Sequence, residues 1–590
     1  MVNPQPGANA RFKMVFKNFR HRLADENALL PLSLLGIFTG LLSGIVIQGF
    51  RFLIEWPSEI WLIGGHEAFE ILSPSVRAVI PIYGALSLGI FLQFIIRHIP
   101  SMGLSHVVQR LNEHHGRLPL RPAIMQFLLG AWCILTGQSS GREGPAVHLG
   151  AATSSYVGQL WKLPSNSIRV LTGCGTAAAI AASFNTPIAG VIFAMEVVMM
   201  EYTIAGFIPI MLSASAGTVI SELVYGSSTA FIAPVLEQHT VFEVPAYILL
   251  GLGIGIASGL FCLIHKQGLR LQSLPLWLRY TLAGAVTGLL GFYVPEIMGI
   301  GYDTLDLALE AQLGFYLLLA IGLAKILATS VSSSLGMPIG IIGPTLLAGG
   351  CLGGATGIII NFVAPQTITN DSLYVMLGMG AMMGAVMNAP LAALTALLEL
   401  TNSPTIILPA MIAIVVATLM NSQILKQKPP HLVSLGHSGE RTQLSMFEIN
   451  LQRIGVSSLM NANMETATRF LTKQQLMALL TRKPRWVITE ENQQLIMLNG
   501  IQLESGLNEM EEWNNASDEQ QLDLLAIPGE QAKIAALSFQ SSALEAWQLM
   551  QKENLSALYV TGTFDAYAPA ISGIITRRDI EDYYQRPRYF

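Results

Sequence analysis

Gly141-Arg142-Glu143-Gly144-Pro145 reads as a helix that begins inside a membrane. Proline fits the first helical turn, where a missing N–H costs nothing, and the flanking glycines let the backbone approach a ligand closely. A helix start exposes unpaired N–H groups and the positive end of the helix dipole. In hydrocarbon those donors need a partner, and a small anion is the natural one. Glu143 sits at the mouth of this start. Its carboxylate is itself an anion, so it can occupy the site when ionised and leave when protonated or displaced. That makes Glu143 a candidate gate, and an ionisable side chain at membrane depth marks function by default.

The layout recurs. Gly340-Ile341-Ile342-Gly343-Pro344 has the same glycine and proline spacing, and each motif is followed by Gly/Ala-rich sequence. Then come Asn185-Thr186-Pro187 with an apolar run ending in Glu196, and Asn388-Ala389-Pro390 with an apolar run ending in Glu399. In both copies the acidic residue lies eleven positions after the asparagine. Duplications of this kind in membrane transporters place the substrate site where the repeats meet. Two facing helix starts bind an anion through partial charges, weakly enough for rapid release.

The 590 residues are 52% hydrophobic and 12% charged, against about a quarter charged in soluble domains. Apolar runs recur from Leu29–Phe50 to Ile406–Met420, and several, such as Ile124–Leu135 and Thr281–Val294, fall short of the roughly 20 residues that span hydrocarbon. Broken, tilted helices are expected rather than a simple bundle. Arg11, Lys13, Lys17, Arg20 and Arg22 precede the first apolar run, which puts the N-terminus in the cytoplasm. The basic stretch is too long for a cleaved signal peptide. No nucleic-acid partner is expected. Cys133, Cys174, Cys262 and Cys351 lie far apart in apolar surroundings, as buried core residues do. No metal spacing is present, and adjacent His114 and His115 would point apart on a helix.

In these motifs, from about residue 30 to 455 and on into the tail, the chain resembles the CLC family of chloride channels and chloride/proton antiporters. The resemblance implies a polytopic α-helical fold of two inverted halves, and a homodimer in the inner (cell) membrane. Each subunit then has its own pathway for chloride and other small anions, with no cofactor. It further implies that Glu143 is the gate and that the amides of Gly141, Arg142, Glu143 and Gly144 line an outer anion site. The amides of Gly340, Ile341 and Ile342 would line a central one.

Three positions depart from the family pattern. The first anion motif, Gly-Ser-Gly-Ile-Pro, is matched by Ser101-Met102-Gly103-Leu104-Ser105, so Met102 replaces the serine whose hydroxyl touches the central anion. The central tyrosine falls best on Phe447. Both hydroxyl donors are then missing, so weak anion occupancy is expected. The glutamate that follows the Glu196 position in many antiporters is Val197 here, as in the family's channels, and Glu201, one turn on, could stand in for it. Channel-like conduction gated by Glu143 is the leading expectation and proton-coupled exchange the alternative. A remoter one is a membrane hydrolase, because Gly137-Gln138-Ser139-Ser140-Gly141 matches G-x-S-x-G with His148 the one base nearby.

The boundaries expected are a cytoplasmic segment over 1–28, a membrane domain over 29–455 and a soluble tail over 456–590. Two halves are visible in the tail, near 456–505 and 534–585. Ser572 to Ile580 resembles the end of a CBS (cystathionine-β-synthase-type) motif, which implies a CBS pair. In that family the equivalents of Thr576 and Asp579 can hold the phosphate and ribose of an adenine nucleotide. The first half lacks a matching threonine and aspartate near Met497 to Gln502. A purely structural pair and a nucleotide-binding pair both stay open.

Overall fold

A computed structural model describes residues 20, 22–25, 28–62, 67–96, 101–226, 243–363, 371–440, 445–510, 520–562 and 571–585; Arg11, Lys13 and Lys17 lie outside them. The chain forms two compact units: Leu32–Leu160 with Ile168–Gln443, and Leu444–Phe590 with Met1–Pro31 and Trp161–Ser167. The soluble unit thus starts before the expected boundary at 456. It includes the short helix Met446–Gln452, whose capping box between Ser445 and Glu448 starts a new helix there.

The membrane unit is carried by α1 (Leu29–Trp61), α2 (Pro74–Ile90), α3 (Gly103–Glu113), α4 (Leu120–Leu135), α5 (Glu143–Leu160), α6 (Ser165–Phe184), α7 (Pro187–Phe193), α8 (Ile204–Tyr225), α9 (Val244–Gly268), α10 (Leu276–Tyr293), α11 (Tyr302–Leu309), α12 (Phe315–Ser334), α13 (Ile342–Val363), α14 (Asp371–Met387), α15 (Pro390–Thr401), α16 (Ile407–Leu419) and α17 (Pro430–His437). Among the described residues eight helices are long and apolar enough to cross a membrane. The short α7 and α15 are not. Large apolar side chains such as Leu223, Phe362 and Tyr316 point outward, an arrangement suited to lipid and a liability in water.

The repeat is written into the backbone. Asn185 and Asn388 both turn left-handed, at φ 60° and 53°. The next residues, Thr186 and Ala389, take near-identical angles of −126°, 77° and −134°, 73° before the prolines that open α7 and α15. Small residues let the helices cross closely. A Cβ on Gly150 of α5 would lie 2.2 Å from the carbonyl oxygen of Gly175 on α6, and one on Gly349 of α13 the same distance from that of Gly378 on α14.

In the soluble unit, α18 (Met446–Gln452) and α19 (Val456–Leu459) lead into β1 (Met464–Thr466), β2 (Phe470–Thr472), α20 (Lys473–Thr481), β3 (Trp486–Glu491), β4 (Gln494–Asn499), α21 (Gly500–Glu509), β5 (Gln521–Asp523), β6 (Gln531–Ser538), α22 (Ala543–Glu553), β7 (Ala557–Thr561), β8 (Ile571–Thr576) and α23 (Arg577–Gln585). One sheet runs β1-β3-β4-β6-β7-β8. Each half has the same plan. A strand pairs in parallel with the strand beyond a helix, and that strand then pairs antiparallel with the next: β1, β3, β4 in one half and β6, β7, β8 in the other. Both intervening helices, α20 and α22, open on a capping box. This duplicated pattern is consistent with the CBS pair expected of the tail.

The N-terminal residues belong to the same unit. The Asn166 side chain donates to the carbonyls of Leu23 and Ala24 at 3.2 Å, and the Gly455 amide donates to Ala24 at 2.9 Å. The N-terminal segment, the 161–167 connection and the tail therefore form one compact unit.

Candidate anion pathway

The two Gly-x-x-Gly-Pro motifs meet. The Gly141 amide donates to the Gly340 carbonyl at 2.8 Å and the Gly340 amide returns the bond to Gly141 at 3.0 Å. This two-residue antiparallel bridge sets the starts of α5 and α13 against each other. A Cβ on Gly340 would lie 2.5 Å from the Gly141 oxygen, so only glycine permits the approach. The bridge corrects one expectation: the amides of Gly141 and Gly340 satisfy each other and do not line an anion site.

Glu143, the first residue of α5, is fully buried and reaches across to the other repeat. Its carboxylate accepts the Gly343 amide at 3.0 Å, in the first turn of α13. Its second oxygen accepts the Tyr302 hydroxyl from the start of α11. An anionic group thus sits on a helix N-terminus inside the protein, where donors and dipole favour negative charge. Arg142 points elsewhere. It donates to the Ser183 carbonyl at 3.0 Å, lies 3.7 Å from Glu55, and sits over the Tyr302 ring at 5.3 Å.

A cavity of about 400 Å³ opens onto the same helix starts, lined by Gly144 and Val147 of α5, Ile341 just before α13, Ile342 at its start, and Met102. Met102 lines this cavity and offers a thioether in place of a hydroxyl. Phe447 does not. It packs edge-on against Trp547 and Tyr584 at 5.1 and 5.0 Å within the soluble unit, because α18 folds onto the tail. The cavity wall carries instead His431, the second residue of α17, whose Nδ1 is buried without a partner among the described residues. Beside it His265 bonds Ser333 at 2.9 Å and Ser434 at 3.0 Å. Sequence reasoning missed Tyr302 and His431. Pro429-Pro430-His431, a proline-marked helix start, was the available signal for the second.

Residues 83–422 match the family model described as voltage gated chloride channel. The chain belongs to the CLC family. A putative chloride channel protein ClcB-like from Ralstonia nicotianae is 29% identical over 63% of this CLC chain and 89% of its own. An H(+)/Cl(-) exchange transporter ClcA from Vibrio cholerae is 25% identical over 68% of this chain and 89% of its own. Among solved structures, a slow cyanobacterial Cl−/H+ antiporter superposes with a TM-score of 0.61 at 21% identity, over 69% of this chain and 97% of that one. A eukaryotic CLC transporter superposes at 0.57 and 17% identity over 96% and 98%, so its fold matches the tail as well. This CLC chain is a multi-pass membrane transport protein and not an enzyme. Ser139 and His148 agree with that: the serine hydroxyl pairs with Thr329 at 2.9 Å and the imidazole with His106 at 3.0 Å, so they form no nucleophile and base.

The carboxylates of this CLC chain nearest the Val197 position are engaged. Val197 itself is buried in the apolar core. Glu196 accepts the Leu391 and Ala392 amides at 3.3 and 2.7 Å at the start of α15. Glu201 forms a buried ion pair with Arg169 at 3.1 Å. In the tail, Thr576 and Asp579 close a reciprocal capping box at the start of α23. The Thr576 amide and hydroxyl donate to Asp579 at 2.9 and 2.6 Å, and the Asp579 amide donates back at 3.2 Å. At the matching end of β4, Asn499 caps α21.

Proposed function

We propose that this chain carries chloride across the membrane, and that the anion and the Glu143 carboxylate compete for the start of α13. The observation that carries the reading is the 3.0 Å bond from the Gly343 amide to Glu143. A carboxylate seated on a helix N-terminus at the narrow meeting point of two repeats fills the place an anion would take. Protonation removes its charge, and chloride displaces it. Replacing Glu143 by alanine in liposomes should raise chloride flux and abolish its dependence on pH; flux identical to wild type overturns the gate.

Channel-like conduction is supported by the carboxylates, since Glu196 caps α15 and Glu201 is ion-paired, leaving apolar Val197 between them. Proton-coupled exchange is the second reading, and a different observation favours it: a buried, hydrogen-bonded pair of imidazoles beside the cavity. The basic N-terminal stretch supports a cytoplasmic N-terminus, and with it a cytoplasmic tail, since the two share a unit; the inner membrane and a homodimer complete the reading. We assign the tail pair a structural role, because Thr576 and Asp579 spend their polar atoms on each other. Titration with ATP or AMP checks this: no heat and no thermal shift are expected.

A further inference from the structure

His106 on α3 lies on the cavity wall and is 5% exposed. Its Nδ1 is 3.0 Å from Nε2 of His148 on α5, with the rings edge to face at 5.0 Å. His148 is fully buried, and its own Nδ1 has no partner among the described residues. Burying an imidazole nitrogen without a partner is costly, and ordered water is the usual resolution. Two more orphaned atoms lie on the elements around it. Gln126 Oε1 is on α4, and Ser140 Oγ lies just before the start of α5. The Gln126 amide nitrogen and the Pro145 ring both come within 3.2 Å of where a Gly130 Cβ would stand, so that side chain reaches the first turn of α5. His148 is five residues beyond Glu143 on the same helix, about 7.5 Å of rise.

We propose that His106 and His148 form a two-imidazole proton relay from the cavity to the helix that carries Glu143, with water between His148 Nδ1 and the Glu143 carboxylate. A cavity proton binds His106 Nε2. The proton on His106 Nδ1 then crosses to His148 Nε2, and the proton on His148 Nδ1 leaves to the bridging water and on to Glu143. One proton enters, one leaves, and both rings stay neutral with their tautomers exchanged. Each ring must turn before the next proton moves the same way, which limits the rate. Imidazole is suited to this, having two distinct nitrogens and a protonation change near neutrality.

The cavity wall also carries His265, Arg279, His431 and Glu440, and His106 is the wall imidazole that is hydrogen-bonded to a group on α5. On α3 itself the nearest are Arg110 and His114. Glu196, in the turn after α7, is held by backbone amides. Of the charged groups on the helices packed around α5, Arg169 of α6 is paired with Glu201, Arg51 of α1 with Glu55 at 3.2 Å, and Arg121 of α4 stands at its exposed end. The adjoining α17 brings His431 and His437.

The relay rests on the proton-coupled reading of function. The test uses the full chain in liposomes under a chloride gradient, with chloride efflux and proton uptake read from the same vesicles. Wild type should take up protons, and His148→Leu and His106→Asn should each lower the proton-to-chloride ratio at least tenfold while chloride still moves. Variants that keep the wild-type ratio overturn the relay and leave exchange standing. Loss of both fluxes in both variants overturns it too, since a separate proton path leaves chloride moving. Wild type that moves no protons overturns exchange and relay together.

Discussion

Glu196 and Glu399 exchange places: each caps the helix that belongs to the other repeat. Glu196 accepts the Ala392 amide at 2.7 Å and Glu399 accepts the Ala189 amide at 2.7 Å, each taking a second amide from the preceding residue. A helix start within a membrane has no water for its first N–H groups. Here the duplicated chain supplies the missing acceptor reciprocally, which ties the halves together at α7 and α15. Either carboxylate replaced by alanine strands two donors at a cost of about 1–3 kcal/mol. Glu196→Ala and Glu399→Ala should therefore lower the melting temperature in detergent by similar amounts, and a variant melting like wild type would contradict the swap.

The Glu143 carboxylate is held by two donors, and on the proposed competition removing one should favour chloride. Tyr302→Phe deletes the hydroxyl that bonds Glu143 and leaves the Gly343 amide in place. A hydrogen bond to a charged group contributes about 1.5 kcal/mol, which is roughly tenfold in competition. Half-maximal chloride transport should then occur at up to roughly tenfold lower chloride. In a Glu143→Gln background the same substitution should change little, because the charge it restrains has gone.

Acid sensitivity of the tail should trace to one ion pair. Arg469 donates to both oxygens of Asp523 and also meets Glu491 at 2.7 Å. The Arg469 hydrogen bond holds the Asp523 carboxyl below the ordinary aspartate range. A depressed value means that the contribution to stability is present above the unfolded group's pKa and fades as pH falls through the lower, folded one. Both side chains are partly exposed, so the effect is small. In Arg469→Leu, proteolysis of the tail should set in at a higher pH than in wild type, and the difference should shrink in high salt.

Much of the candidate site was legible in the sequence because backbone geometry fixes it. The glycine and proline spacing at 141–145 and 340–344 specified two helix starts, and the asparagines at 185 and 388 specified the breaks before α7 and α15. What failed was register over distance. Phe447 resembled a pathway aromatic by its place near the end of the apolar region, yet Ser445 and Glu448 form a capping box that starts a soluble helix. Tyr302 could not be found from pattern at all, because only the tertiary fold brings the start of α11 to Glu143. Gly141 and Gly340 looked like anion ligands from their motif, and their mutual bridge depends on the pairing of two segments far apart in the chain.

Met102 is where a single side chain should set how strongly the anion is held. It lines the cavity, as do Ile341 and Ile342. A thioether is at best a weak acceptor and donates nothing to an anion. Met102→Ser places a hydroxyl donor at the same wall and opens space for the ion. One added hydrogen bond is worth about 1 kcal/mol, roughly fivefold in affinity. Calorimetric titration of the purified protein with chloride should show that tightening, most clearly in a Glu143→Gln background where the carboxylate no longer competes. Unchanged or weaker binding there would mean that the anion rests beyond the reach of position 102, closer to the Gly343 amide.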